Sequence, residues 1–404
     1  MKPRLLPADL VVVLAGITAA MHVGKLPPAI PVLRDALGIT LLQAGFLLSL
    51  VQFAGMVAGI FIGAAADGIG LKRSVVAGLA ILTVASAAGG AAHDAGQLMA
   101  LRAFEGLGFF LAVLPVPSLL RELVPPERLN LRLGLWGTFM PTGTALALLC
   151  GPWVMAAVGW PGWWWTLAAL TAAMSVWTAL AVPPDRARRH TTAADAEGGT
   201  FHLDAGWTQR LRATLSAAGP WLVALTFAMY ASQWLSVIGF LPSIYAQSGL
   251  SVAAAGALTA LVAAVNALGN VGSGRLLHAG MPPERVLYVG FATMLVCAVA
   301  AFGLPATTPF LLRYAAVLVL SAVGGLVPGA LFALAVRFAP GPRTVSTTVG
   351  WMLQFSALGQ FVGPPIVAWV AGTTGTWQWT WTVTGTASVA GIVFAAMIGR
   401  VHRR

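Results

Sequence analysis

Apolar residues come in long blocks along this chain, and charged residues or Gly/Pro-rich turns separate the blocks. A bilayer core needs about 20 apolar residues per helix. Blocks of that kind lie at 8–33, 40–66, 74–93, 96–119, 133–157, 163–182, 219–246, 251–274, 286–304, 310–336, 345–371 and 379–399. The pattern predicts an all-α membrane protein with twelve transmembrane helices. The longest polar break, Pro183 to Leu215, carries Asp185, Arg186, Arg188, Arg189, Asp195 and Glu197 and divides the blocks six and six. We expect an N-terminal six-helix bundle over 1–182, a cytoplasmic linker over 183–216 and a C-terminal six-helix bundle over 217–404.

The two halves repeat. LGITLLQAG at 37–45 aligns with SGLSVAAAG at 248–256, an offset of 211 that also pairs Pro31 with Pro242 and Gly63 with Gly274. An offset of 212 aligns GPWVMAAVG at 151–159 with the GPPIVAWVAG run from 363. A near-constant offset over several places indicates a duplicated unit. Six helices per unit make the two repeats parallel, related by an axis along the membrane normal.

Composition sharpens the class. The 404 residues are 58% hydrophobic and 9% charged, against about 25% charged in an ordinary soluble domain. The net charge of +11 would suggest nucleic acid in a soluble protein, but its placement says otherwise. With the N-terminus cytoplasmic, 19 of the 23 Lys and Arg fall on the cytoplasmic side; the other four are Lys25, Arg34, Arg102 and Arg313. That asymmetry is the positive-inside signature. It predicts a multi-pass protein of the cell inner membrane with both termini cytoplasmic and no nucleic-acid partner. Cys150 and Cys297 both lie in apolar blocks and form no disulfide framework. The first apolar run leads into a Pro-rich stretch and reads as a retained span, not a cleaved signal. No phosphate-cradling GKS/T loop occurs, and the six histidines have no metal-ligand spacing. We therefore expect no enzyme, no cofactor, no metal and no ATP-driven step in this chain.

Polar residues inside the apolar blocks are the candidate chemistry. Thr18, His22 and Lys25 fall at i, i+4 and i+7, one stripe on a helix. A lysine near a membrane helix centre costs about 2.5–3.5 kcal/mol, so the stripe must face protein or a water-filled cavity. In the fourth block Arg102 and Glu105 stand at i, i+3 and can pair. On that pairing Lys25 has no acidic partner within the helices, and Asp35 reaches it only from the outer loop. An excess of buried positive charge favours an anionic solute. Lys25 is then its electrostatic partner, with Arg102 and Glu105 as coupling or gating groups. His22 is the proton acceptor, since an imidazole titrates near pH 6.5. Further stripes are Tyr230, Gln233 and Trp234 in the seventh block, and Asn266, Asn270 and Ser273 in the eighth. Trp351 and Gln354 lie in the eleventh, with Gln52 in the second. By the repeat, Gln233 and Ser236 are the counterparts of His22 and Lys25. Arg313 opens the tenth block and reads either as a snorkelling interfacial arginine or as a rim cation that attracts anions. Gly55, Gly59 and Gly63 form a GxxxGxxxG face suited to close helix packing.

The loop GAAADGIGLKR at 63–73 resembles the signature loop of the major facilitator superfamily. Gly63, Asp67, Gly70, Lys72 and Arg73 match it, while Gly68 and Leu71 depart from it. LRAFEGLG at 101–108 resembles the family's fourth-helix motif through Arg102 and Gly106. MPTGTALALLCGPW at 140–153 is a loose, incomplete match to the fifth-helix motif of its drug-export branch. KLPPAIPVLRDALGITLLQAGFLLSL from 25 and NALGNVGSGRLL from 266 look like the cyanate/nitroimidazole-permease-like branch. The resemblance implies the major facilitator fold, with the loop as a conformational latch and Arg102 tied to proton coupling or to substrate anions. It also implies that spans one, two, four, five, seven, eight, ten and eleven line a central cavity. Members of that branch are associated with small anions or small polar compounds. The expected function is a monomeric secondary transporter that moves a small anion by alternating access, with protons as coupling ion. Drug or metabolite efflux by proton antiport and a non-transporting membrane sensor or scaffold are the alternatives.

Overall fold

Proline, glycine and chain length decide where the helices break. The computed structural model describes residues 6–185, 206–305, 307–341 and 344–402; the side chains at 63–68, 126, 130 and 402 lie outside the description. Among the described residues all regular structure is helical, and eleven helices are long and apolar enough to cross a membrane. Ten of them cross once. We label α1 Ala8–Leu37, α2 Leu41–Ile62, α3 Leu71–Gly89 and α4 Ala95–Leu123. The fifth candidate, Glu127–Ala181, has 55 residues, about 80 Å of helix, far more than one crossing of about 30 Å. It reverses at Gly159, whose φ of 73° is open to glycine, with Pro161 just beyond. This gives α5 over 139–158 and α6 over 160–181. Then follow α7 Ala218–Gln247, α8 Val252–His278, α9 Pro283–Gly303, α10 Phe310–Arg337, α11 Val345–Thr374 and α12 Trp377–Val401. Twelve crossings match the expectation, and the even count places the two ends of the chain on one face of the membrane. Of the expected linker, 186–205 lie outside the described residues; Trp207–Ser216 is a short helix.

The two sets of six helices pack alike. In the first, α1 lies along α5, α2 against α4, and α3 between α4 and α6; in the second, α7 lies along α11, α8 against α10, and α9 between α10 and α12. This is the parallel repeat expected from the offset. Leu180 is 79% exposed and Val84 69%, so α6 and α3 turn apolar surface outward to lipid. The halves meet along symmetry-related seams. Gly45 of α2 packs on Pro364 and Pro365 of α11; Gly256 of α8 packs on Leu148 and Pro152 of α5. Gly239 of α7 takes Leu48 of α2. The glycine face of α2 also packs as expected: Gly55 meets Phe110 of α4 and Gly59 lies along Gln354 of α11. The third glycine of that face, Gly63, lies outside the described side chains.

Candidate functional site

Lys25 sits at a break in α1. The helix runs from Ala8 to Gly24, turns at Lys25, and resumes from Leu26 to Leu37. Pro27 and Pro28 begin the second segment, where a missing N–H costs least, and they deny hydrogen bonds to the turn before them. Two side chains bond to carbonyls in that turn: Arg102 Nη1 donates to His22 O at 2.6 Å and Trp163 Nε1 to Lys25 O at 3.2 Å. The carbonyls that Pro27 and Pro28 leave without helical donors are those of Val23 and Gly24, so these two bonds flank the proline break and hold the turn from either side.

Around that turn the protein buries three charges. Lys25 Nζ donates to Glu105 Oε1, and Arg102 Nη1 donates to Glu105 Oε2 at 2.5 Å. Lys25 also donates to Ser86 Oγ of α3 at 3.0 Å and lies 4.7 Å from the centre of the Trp164 ring of α6. Arg102 Nε donates to Leu47 O of α2 at 3.1 Å. Lys25, Arg102 and Glu105 are each at most 1% exposed. The i, i+3 pair of Arg102 and Glu105 is present as expected, but the inference drawn from it fails. Lys25 does have an acidic partner, because one carboxylate has two oxygens and Glu105 gives one to each cation. Nor does Lys25 face open space here; it points into the packing of α1, α3, α4 and α6. The cluster nevertheless holds two cations against one carboxylate, an excess of one positive charge.

His22 completes the cluster. Its Nε2 lies 2.8 Å from Thr171 Oγ1 of α6, and that hydroxyl donates to Leu167 O at 2.7 Å. The hydroxyl proton is thus committed, so the partners assign Nε2 as donor and leave Nδ1 as an acceptor. Nδ1 faces Lys25 Nζ at 3.5 Å. The repeat has a matching contact in the second half: Ser388 of α12 donates to Gln233 Oε1 of α7 at 2.7 Å, and Gln233 Nε2 donates to Met229 O at 2.9 Å. Both α1–α6 and α7–α12 are thus tied by a buried polar pair, which marks His22 and Gln233 as partners within their own halves. The charge has no counterpart: Ser236 merely donates to Ser232 O at 2.6 Å.

A second polar group forms on α7, α8 and α10. Asn266 Nδ2 donates to Tyr230 OH at 3.0 Å and to Ser321 O at 2.9 Å; Asn270 Nδ2 donates to Asn266 Oδ1 at 3.1 Å. Tyr230, Asn266 and Asn270 are therefore brought together as a network. Trp234 is buried, and its Nε1 has no hydrogen-bond partner among the described residues. Trp351 packs edge-on against Trp221 at 4.9 Å, its own Nε1 likewise buried without a partner among the described residues. Gln354 leaves this group and crosses the seam, donating to Met56 O of α2 at 2.9 Å. Gln52 Nε2 crosses in the same place to Gln360 Oε1 at 3.1 Å.

Several of these partners carry no sequence signal. Ser86, Thr171 and Ser388 are single hydroxyls in apolar helices, where such groups commonly bond their own preceding turn. Gln360 was findable, since it follows Gln354 by six residues on α11, but it lies off the stripe that Trp351 and Gln354 define.

The loop between α2 and α3 shows what its glycine is for. Gly70 has φ 110°, a conformation that favours glycine, and its backbone lies against the Asp185 carboxylate. Asp185 Oδ1 accepts from Lys72 N at 2.9 Å and Oδ2 from Arg73 N at 3.4 Å, capping the start of α3. Lys72 Nζ donates to Ala179 O of α6 at 2.7 Å. Of the expected latch, Lys72 thus docks on the end of α6 and Gly70 and Arg73 on Asp185 just beyond it, while the surroundings of Gly63 and the side chain of Asp67 lie outside the description. Losing a helix cap costs about 1 kcal/mol. Asp185→Ala is expected to destabilise the purified protein by that amount, and Asp185→Asn by less because its amide oxygen still accepts. Equal melting temperatures for Asp185→Ala and the parent would remove the cap from this account.

The sequence profile of the Major Facilitator Superfamily matches residues 10–355. The chain is 26% identical over 344 residues to the gallate transporter of Pseudomonas putida, covering 78% of this chain and 74% of that protein. Among solved structures it resembles a bacterial homolog of the human lysosomal transporter Spinster, in an inward-facing and unoccupied conformation. That match has a TM-score of 0.76 at 18% identity, over 97% of this chain and 94% of the other. It also resembles the D-xylose–proton symporter, with a TM-score of 0.71 at 15% identity, over 96% of each chain.

Proposed function

We propose a function from one premise: the chain belongs to the Major Facilitator Superfamily. It is a multi-pass membrane transporter, not an enzyme. The proposed reading is a secondary active transporter that carries a small organic anion across the inner membrane, by alternating access and together with a proton. One observation carries it: Lys25 and Arg102, both buried, share the single carboxylate of Glu105.

Burying charge away from water costs several kcal/mol per ion unless geometry and partners offset it. Glu105 offsets one of two cations. The remaining positive charge attracts an anion, and the relative named as a gallate transporter supports an aromatic carboxylate as the class. Glu105 also gives the anion a route to coupling. While ionised it occupies both cations. A proton moved onto Glu105 withdraws that charge and frees Lys25 and Arg102 to take the carboxylate of the solute. Proton and anion enter together and leave together, and the charge of the cluster is the same before and after. Alternating access is read as rocking of the two halves about the α2–α7, α2–α11 and α5–α8 seams; because the cluster lies within the packing of α1, α3, α4 and α6, the solute reaches it only if α1 also parts from those neighbours. Gln52–Gln360 and Gln354–Met56 are the bonds that such a movement would break. The protein is proposed to act as a monomer with both termini cytoplasmic, the side that holds most of its Lys and Arg.

The test is uptake of labelled gallate by proteoliposomes holding the purified protein. Acid outside and neutral inside is expected to drive accumulation, and collapse of the pH gradient with a protonophore is expected to abolish it. Uptake indifferent to the gradient removes proton coupling. Absence of uptake together with extrusion from preloaded vesicles reverses the direction to efflux.

A further inference from the structure

A pocket separate from the charge cluster opens on the membrane face opposite the chain termini. The ends of α7 and α9 and the starts of α10 and α12 surround it, with a volume of about 650 Å³. Ligand sites for small molecules typically run to 300–1,000 Å³. Arg313 of α10 lines the pocket, and no acidic residue lines it among the described residues. Its guanidinium is held from one side: Nη2 donates to Leu304 O at 2.9 Å and to Pro305 O. Its Nε is buried and has no partner among the described residues. Tyr245 of α7 lines the same pocket, is 5% exposed, and its hydroxyl also has no partner there. A buried polar group left unpaired costs about 1–3 kcal/mol. Both atoms are closed off behind the pocket wall; Arg313 Nη1, which makes no hydrogen bond among the described residues, is the donor left for a ligand.

The walls narrow the class. Phe302, Phe310 and Trp377 line the pocket beside Tyr245. Tyr245 meets Phe310 edge-on at 5.4 Å, and Phe310 stacks on Tyr314 at 5.9 Å. Trp377 is fixed by its own hydrogen bond to Gln247 Oε1 at 2.8 Å. Flat aromatic walls suit a ring, and a guanidinium anchored through Nη2 keeps Nη1 for one charge-assisted hydrogen bond to a carboxylate. We propose that this pocket is a binding site for a small aromatic carboxylate, placed on the face opposite the termini and distinct from the Lys25–Glu105–Arg102 cluster. The assignment stands on the chemistry of the pocket and does not require that the same anion be transported.

The experiment reads the pocket itself. Ser248 lines it and is exposed. In full-length protein carrying Cys150→Ala and Cys297→Ala, Ser248→Cys supplies a thiol whose rate of labelling by a membrane-impermeant maleimide is measured. Ala91→Cys, in the α3–α4 turn on the same face, is the control. Benzoate at about ten times its Kd is expected to slow labelling at Ser248→Cys about ten-fold, by mass action, and to leave Ala91→Cys unchanged. Arg313→Gln is expected to lose the protection. Should Arg313→Gln melt below its parent, Arg313→Lys replaces it; that variant keeps the charge, loses the anchored Nη1 donor, and is expected to bind benzoate more weakly. The proposal is overturned if benzoate leaves labelling unchanged, if it slows the Ala91→Cys control equally, or if a folded Arg313 variant is protected as well as the parent. Equal protection by inorganic phosphate would overturn the aromatic class. Because the readout is protection and not uptake, a protein that binds benzoate here but transports nothing fails only the proposed function.

Discussion

Glu105→Gln is expected to destabilise the protein by about 3–5 kcal/mol, the usual cost of removing one partner from a buried ion pair. The effect belongs at the high end because Glu105 serves two cations at once. The glutamine keeps the shape and one acceptor oxygen, but leaves Lys25 and Arg102 together in the packing with no negative charge between them. Ser86 and the carbonyls of His22 and Leu47 remain as acceptors and cannot neutralise either cation. The same variant makes a second, sharper prediction. If the solute carboxylate takes the place of Glu105 between the cations, the assay anion should raise the melting temperature of Glu105→Gln more than that of the parent, in which an internal carboxylate competes with it. Melting in detergent with and without the anion gives both numbers. A variant that melts with the parent would show that the cluster carries little of the fold. A destabilised variant that the anion does not rescue would separate the cluster from the solute.

The spans were legible because each follows from a local property of the chain. Twenty apolar residues make a crossing, and Gly159 with Pro161 marks the reversal that a count of apolar residues alone would run through. The repeat was legible for the same reason, since Pro31 and Pro242 stand at matching places inside α1 and α7. What could not be read was contact at a distance. Lys25 and Glu105 are 80 residues apart, and spacing on α4 offered Arg102 as the nearer partner; that a carboxylate can hold two cations is visible only once α1 and α4 are side by side. Gly70 announced a special backbone, but Asp185, the residue it makes room for, lies in the polar stretch after α6, where one carboxylate among several and among arginines carries no signal. The stripe on α7 shows a further limit. Helical spacing put Gln233 and Trp234 on adjoining faces, yet it could not say that Gln233 turns to Ser388 on α12 while Gln354 on α11 turns to α2.

Lys25→Met divides the two accounts of the cluster, packing and transport, because they predict opposite outcomes. Methionine has nearly the length of the lysine stem, and it places a sulfur beside the Trp164 ring that the ammonium now faces. Removing Lys25 leaves Arg102 and Glu105 as a one-to-one pair with no excess charge, which relieves the desolvation cost of the second cation. Against that, His22 Nδ1 loses the donor that faces it, at about 1–3 kcal/mol. These terms oppose each other, so Lys25→Met is expected to melt close to the parent or above it, in contrast to Glu105→Gln. Uptake should behave the other way. Losing one buried, desolvated attraction to an anion is worth about 2.8 kcal/mol, which corresponds to a hundredfold fall in uptake at low solute concentration. Arg102 remains, so saturating solute should recover part of the rate. A stable Lys25→Met protein with parental uptake reduces Lys25 to packing, and an unstable one gives the lysine to the fold. Only a stable protein with lost uptake leaves it as the charge that draws the solute in.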